Sequence, residues 1–125
     1  MPSEAKQPAA PSGAGQAGQA VWCHDMDDVR REIDRLDRDI VALLAERQSY
    51  IEQAARIKDS RETVRDEDRV ADVITKVLRT AATEGANPDM VEKVYRVMVE
   101  WCINYEFTVF DALKGSRTAK PAPFW

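Results

Sequence analysis

Arg47 stands where a helical stripe demands an apolar side chain. The stripe advances through Leu36, Ile40 and Leu43, meets Arg47, and resumes at Tyr50 and Ala54. Lys58 follows eleven residues after Arg47, which at about 100° per residue puts it within about 20° of the same face. A cation on a core stripe costs several kcal/mol unless an anion meets it. Three arrangements would satisfy it: an internal ion pair with Asp or Glu, a stem that snorkels to water, or an anionic ligand. Glu106 is the complementary oddity, four residues after Cys102 and three before Val109 on an otherwise apolar face. A carboxyl there either pairs with a cation such as Lys58 or stays protonated.

Three further residues belong to this group. Arg30 precedes Arg47 by seventeen residues, roughly 100° around and 25 Å along a straight helix. One small ligand cannot touch both from a single chain. Arg30 is therefore either a solvated member of the charged run Arg30-Arg31-Glu32 or a residue that serves the site of a second copy. Asp66 and Arg69 stand at the head of a later helix, where Asp66 has an ordinary role as N-cap. Cys23 and His24 are adjacent, but two ligands without others do not make a metal site.

The elements that must hold these residues are helices. Met26, Val29, Ile33, Leu36, Ile40, Leu43, Tyr50, Ile51, Ala54 and Ile57 recur at spacings of three and four, a near-heptad stripe. Asp25 is the expected cap of this first helix, with Asp27 and Asp28 in its first turn, and no breaker follows before about Ser60. The second helix is expected from Asp66, with Val70, Val73, Ile74, Val77, Leu78 and Ala81 on its apolar face and Gly85 as its stop. The third takes Asn87 as cap and Pro88 at its first position. Its expected face runs through Val91, Val94, Tyr95, Met98, Cys102, Tyr105, Val109 and Leu113. No alternating strand pattern and no repeat stand out, so the chain is expected to be all-α.

Composition bounds the rest. The chain has 125 residues, 44% hydrophobic and 32% charged, the size of one domain. Its net charge is -4 and its pI about 5.1, which argues against nucleic acid or an anionic membrane as partner. No apolar run is long enough to span a bilayer, and the first twenty residues lack the apolar core of a secretory signal. Two cysteines far apart exclude a disulfide scaffold and a Cys-rich zinc site, so the cytoplasm is the expected compartment. Glycine and proline concentrate at the ends. Residues 1–24 are expected to be a disordered tail, 25–114 the helical domain, and 115–125 a flexible tail. A first helix of 33 residues would be about 50 Å long, far beyond a globule of about 90 residues with a radius of gyration near 12 Å. Its stripe runs the whole length, so a second copy must cover the overhang. An intertwined homodimer is expected.

The run Val29-Arg30-Arg31-Glu32-Ile33-Asp34-Arg35-Leu36-Asp37, then Leu43-Leu44-Ala45-Glu46-Arg47, Ala55-Arg56-Ile57-Lys58 and Val64-Arg65-Asp66-Glu67-Asp68-Arg69 resembles the all-helical chorismate mutase family, which includes the isochorismate pyruvate lyases. The likeness covers about residues 26–112 and is specific as a set. It implies an intertwined all-α dimer whose two sites are each built from both chains. By that resemblance Arg30 is the arginine donated by the neighbouring subunit, and Arg47 grips a substrate carboxylate. Lys58 contacts a carboxylate and the ether oxygen, Arg69 lies at the mouth, and Asp66 lies near the ring hydroxyl. Chorismate is a dianion, so a buried cation cluster would be its receptor. Three positions depart from the best-known mutase pattern. Val70 stands where many mutases have Glu, Cys102 replaces a small hydroxyl residue, and Glu106 replaces a glutamine that donates to the ether oxygen. Val70, the Lys58-to-Arg69 spacing and Trp101 are more like the lyases; Asp66 is more like the mutases.

The resemblance implies chorismate rearrangement to prephenate on the way to Phe and Tyr, with no metal, no cofactor, and Lys58, Glu106 and Arg47 as the catalytic groups. The alternatives are isochorismate pyruvate lyase, for salicylate and siderophore synthesis, and a non-catalytic dimeric helical interaction module.

Overall fold

The computed structural model describes residues 19–115. The expectations for 1–18 and 116–125 lie outside the described residues. Helix α1 spans Met26–Ile57, α2 Glu67–Glu84 and α3 Pro88–Phe110. A short 3-10 turn, Arg61–Thr63, joins α1 to α2, and a π-type turn, Asp111–Gly115, follows α3. No strand occurs among the described residues, and none of these helices is long and apolar enough to cross a membrane.

The helix ends follow from local chemistry. Asp25 accepts from the Asp28 N–H and Asp66 from the Arg69 N–H, each satisfying a donor that an isolated first turn would leave unpaired. Asn87 accepts from the Asp89 and Met90 N–H groups, with Pro88 in the first turn. Gly85 closes α2 with φ 77°, a left-handed conformation that favours glycine.

Helix α3 packs against both α1 and α2. The core lies between them: Ala55, Val64, Val99, Ile103 and Phe110, flanked by Val70, Val73, Phe107 and Val109. The buried face of α3 is Val99, Cys102, Ile103, Glu106 and Phe110, which corrects the expected stripe. Val94 is exposed. Apolar residues surround most of this helix, so periodicity alone did not select the face; contact with two neighbours did. The α-helix also ends at Phe110, short of Leu113. Among the described residues, only the last third of α1 meets its own chain closely. Ile33, Leu36, Ile40, Val41, Leu43 and Leu44 are all between 43% and 65% exposed, a continuous apolar face on the N-terminal part of a 32-residue helix.

Candidate functional site

The C-terminal part of α1, the loop after it, the head of α2 and the second half of α3 enclose a cavity of about 590 Å³. Helix α1 contributes Arg47, Tyr50, Ile51 and Ala54, and Lys58 enters at the residue that caps it. Asp66, Arg69 and Val70 come from the start of α2, and Cys102 and Glu106 from α3. Seven of the eight residues singled out by sequence therefore line one space. Val73, Val99 and Ile103 supply further apolar wall.

The charged groups are held as follows. Glu106 is buried at 4% exposure, and the Lys58 ammonium lies 2.7 Å from its Oε2. That oxygen accepts no aligned hydrogen bond, so the contact is chiefly coulombic. Lys58 Nζ also donates to the Val64 carbonyl at 3.4 Å. Arg47 is half-buried and donates from Nη1 to Cys102 Sγ at 3.3 Å; no carboxylate pairs with it among the described residues. A guanidinium facing a cavity with only a weak sulfur acceptor keeps most of its donors for something else. Arg69 sits at the rim, its side chain 61% exposed and 2.7 Å from Asp72. Asp66 spends Oδ1 on the Arg69 N–H at 3.0 Å, so its capping role is real, and it faces the cavity as well. The lining thus carries three cations and two carboxyls within an apolar enclosure.

Arg30 is not brought to this cavity by its own chain. It is exposed and lies 3.9 Å from Asp27. Trp101, the residue with a lyase-like signature, is not in the lining either. It stacks on Tyr105 with ring centroids 5.1 Å apart.

Two features escaped sequence reasoning. The loop residues Thr63 and Val64 line the cavity, with Val64 only 3% exposed; a lone valine in a charged loop gives no periodic signal. Beside the cavity, Tyr105 donates to Glu52, and Gln48 donates to the same carboxylate at 3.2 Å. The Tyr105 hydroxyl, followed by Gln48, holds the Glu52 carboxyl below its usual range, and the same carboxylate pushes the phenol up. Among the described residues no three His, Cys, Asp or Glu side chains gather as metal ligands.

Comparison with known proteins bears on this geometry. A family model described as chorismate mutase type II matches residues 29–107. An isochorismate pyruvate lyase of Pseudomonas aeruginosa is 30% identical over 94 residues, covering 75% of this chain and 93% of that protein.

Proposed function

This chain belongs to the type II chorismate mutase family, and from that membership we propose that it rearranges chorismate to prephenate in the cavity between α1, α2 and α3. The observation that carries the reading is the placement of Arg47 and Lys58. Both face one apolar-walled cavity, and among the described residues Arg47 donates there only to the Cys102 sulfur. A scaffold that needed buried ion pairs would have given Arg47 a carboxylate.

The rearrangement is pericyclic. The ether C–O bond breaks as a C–C bond forms between the enolpyruvyl methylene and the ring, and no atom leaves the molecule. It asks of a protein that both carboxylates be gripped, that the side chain be held over the ring, and that charge growing on the ether oxygen be met. Arg47 and Arg69 are suited to the carboxylates, since a guanidinium forks onto two oxygens. Lys58 faces the ether oxygen, and Glu106, 2.7 Å from its ammonium, stands beside it. The lining holds three cations, Arg47, Lys58 and Arg69, with Asp66 and Glu106, a cation excess suited to an anionic substrate. Asp66 contacts the ring hydroxyl, and Val70 and Cys102 bound the ring. Arg30 enters from a second copy, docked along the exposed face of α1.

A second reading has its own support. Val70 stands where many mutases have Glu, and the Pseudomonas relative is by name an isochorismate pyruvate lyase. In that reaction the same ether bond breaks while a ring hydrogen moves to the methylene, releasing pyruvate and salicylate. The same cations would serve it. Incubation with chorismate, followed by loss of its near-UV absorbance and appearance of prephenate, tests the first reading. Pyruvate and salicylate from isochorismate, with chorismate untouched, would replace it by the second. If both substrates survive, the chain is a helical interaction module.

A further inference from the structure

We propose that Lys114, in the turn after α3, is a positioning residue: it clamps the backbone of Lys58 and thereby aims the Lys58 ammonium into the cavity. This inference rests on the functional reading above, and it concerns a residue beyond the 29–107 stretch that matches the family.

The problem that Lys114 solves begins with where Lys58 stands. Lys58 is the residue that leaves α1, with φ -67° and ψ 142°. The last carbonyls of a helix have no partner within it, and a residue past the final turn is ordinarily the first to fray. A group that must meet a reacting oxygen is poorly placed there, because a misplacement of about 1 Å can cost about a hundredfold in rate.

Lys114 removes that freedom. Its ammonium donates to the carbonyl of Lys58 at 2.7 Å and to that of Arg56 at 3.1 Å. It thus serves two carbonyls where α1 ends, at the negative pole of the helix. The same ammonium lies 5.1 Å from the centroid of the Phe110 ring, which is in the core. The opposite side of the loop is fastened to the same turn: Arg61 forks onto Asp111 at 2.8 and 3.2 Å and covers the Phe107 ring at 4.5 Å. Lys58 is consequently held at four points. Its N–H donates to Ala54 at 3.0 Å, its carbonyl accepts from Lys114, and its Nζ meets Val64 and Glu106. Among the described residues only the Lys114 contact comes from outside both α1 and the cavity lining, so it can be removed without altering a group that faces the cavity.

The test uses the full chain with Lys114→Met, Lys114→Arg and, as a control for loss of an exposed lysine, Lys93→Met. Lys93 pairs with Asp89 in the first turns of α3. Turnover is measured on whichever of chorismate and isochorismate the unaltered protein consumes. Lys114→Met lowers kcat about tenfold or more while KM changes less than about threefold; Lys114→Arg, which keeps a cation and donors, restores kcat to within about threefold; Lys93→Met changes neither. Hydrogen exchange supplies a readout independent of substrate: amides of residues 58–64 exchange faster in Lys114→Met, and those of the α2–α3 seam do not. Unchanged kcat in Lys114→Met, or unchanged exchange in 58–64, overturns the clamp. So does a kcat loss that Lys114→Arg fails to restore and that follows the fall in melting temperature. If the unaltered protein consumes neither substrate, the functional reading has failed, and the exchange result alone decides whether Lys114 clamps the loop.

Discussion

In the proposed function Arg47 and Lys58 divide the work of charge in the cavity, and their removal separates the enzymatic readings from a helical scaffold. Arg47→Ala and Lys58→Ala should each reduce turnover by about two orders of magnitude or more, with helicity by circular dichroism near that of the unaltered chain. Full activity in either variant would remove these residues from the site. Glu106 poses a finer question, since it touches Lys58 at 2.7 Å and a carboxyl donates only when protonated. If its acid form meets the ether oxygen, kcat/KM declines toward alkaline pH, and Glu106→Gln flattens that decline and raises activity at pH 8 relative to pH 5. A pH–rate profile unchanged by Glu106→Gln would instead make Glu106 an ionised partner of Lys58, whose removal acts on stability. These three residues were legible because a charge on an apolar helical stripe requires an explanation, whatever the fold. Val64 was not, since its burial depends on how a loop returns over α3.

At the scale of elements, the helix ends were readable and the seams between helices were not. Asp25, Asp66, Gly85 and Asn87-Pro88 act within one or two turns of themselves, so their chemistry is complete in the sequence. The Tyr105–Glu52–Gln48 cluster joins α3 to α1 across more than fifty positions, and nothing in either helix alone announces it. It has a consequence for acid stability. Donation from Tyr105 holds the Glu52 carboxyl below its ordinary value, so its contribution is present above the unfolded value of about 4.3 and is lost as pH falls through the lower folded one. The raised phenol of Tyr105 sets the opposite limit, its contribution being lost as pH rises through the folded value. Tyr105→Phe should therefore lower the denaturation midpoint near neutrality, and the gap from the unaltered protein should close as pH falls through the lowered folded value of Glu52. A gap that does not narrow at all on acidification would mean that Tyr105 acts through packing on Trp101. Asp66 permits a second separation. Asp66→Asn keeps a capping oxygen and should retain stability while weakening substrate binding, whereas Asp66→Ala should cost about 1 kcal/mol of stability as well. Equal binding by Asp66→Asn and the unaltered protein would leave Asp66 as a cap alone.

For the whole molecule, the apolar face of α1 and the absence of Arg30 from its own chain's cavity both support the proposed second copy. Sedimentation should give about twice 14.1 kDa, and a folded, active monomer at micromolar concentration would overturn the shared site. Chains carrying Arg30→Ala mixed with chains carrying Arg47→Ala should recover activity through heterodimers with one intact site, and verified subunit exchange without recovery would refute the cross-chain role. The length of α1 made this expectation available from sequence, since a helix longer than its globule needs another surface. The same overhang sets the order in which the molecule can be born. The last third of α1 closes against α3 within one chain, a unimolecular collapse that protein concentration leaves alone. The first two thirds has no such partner among the described residues, and covered by a second copy, as proposed, it would reach its final order in a collision. Refolding should split into a first-order and a second-order phase, with the catalytic signal returning only in the second, and dilution should slow the enzyme's maturation without slowing the folding of its core.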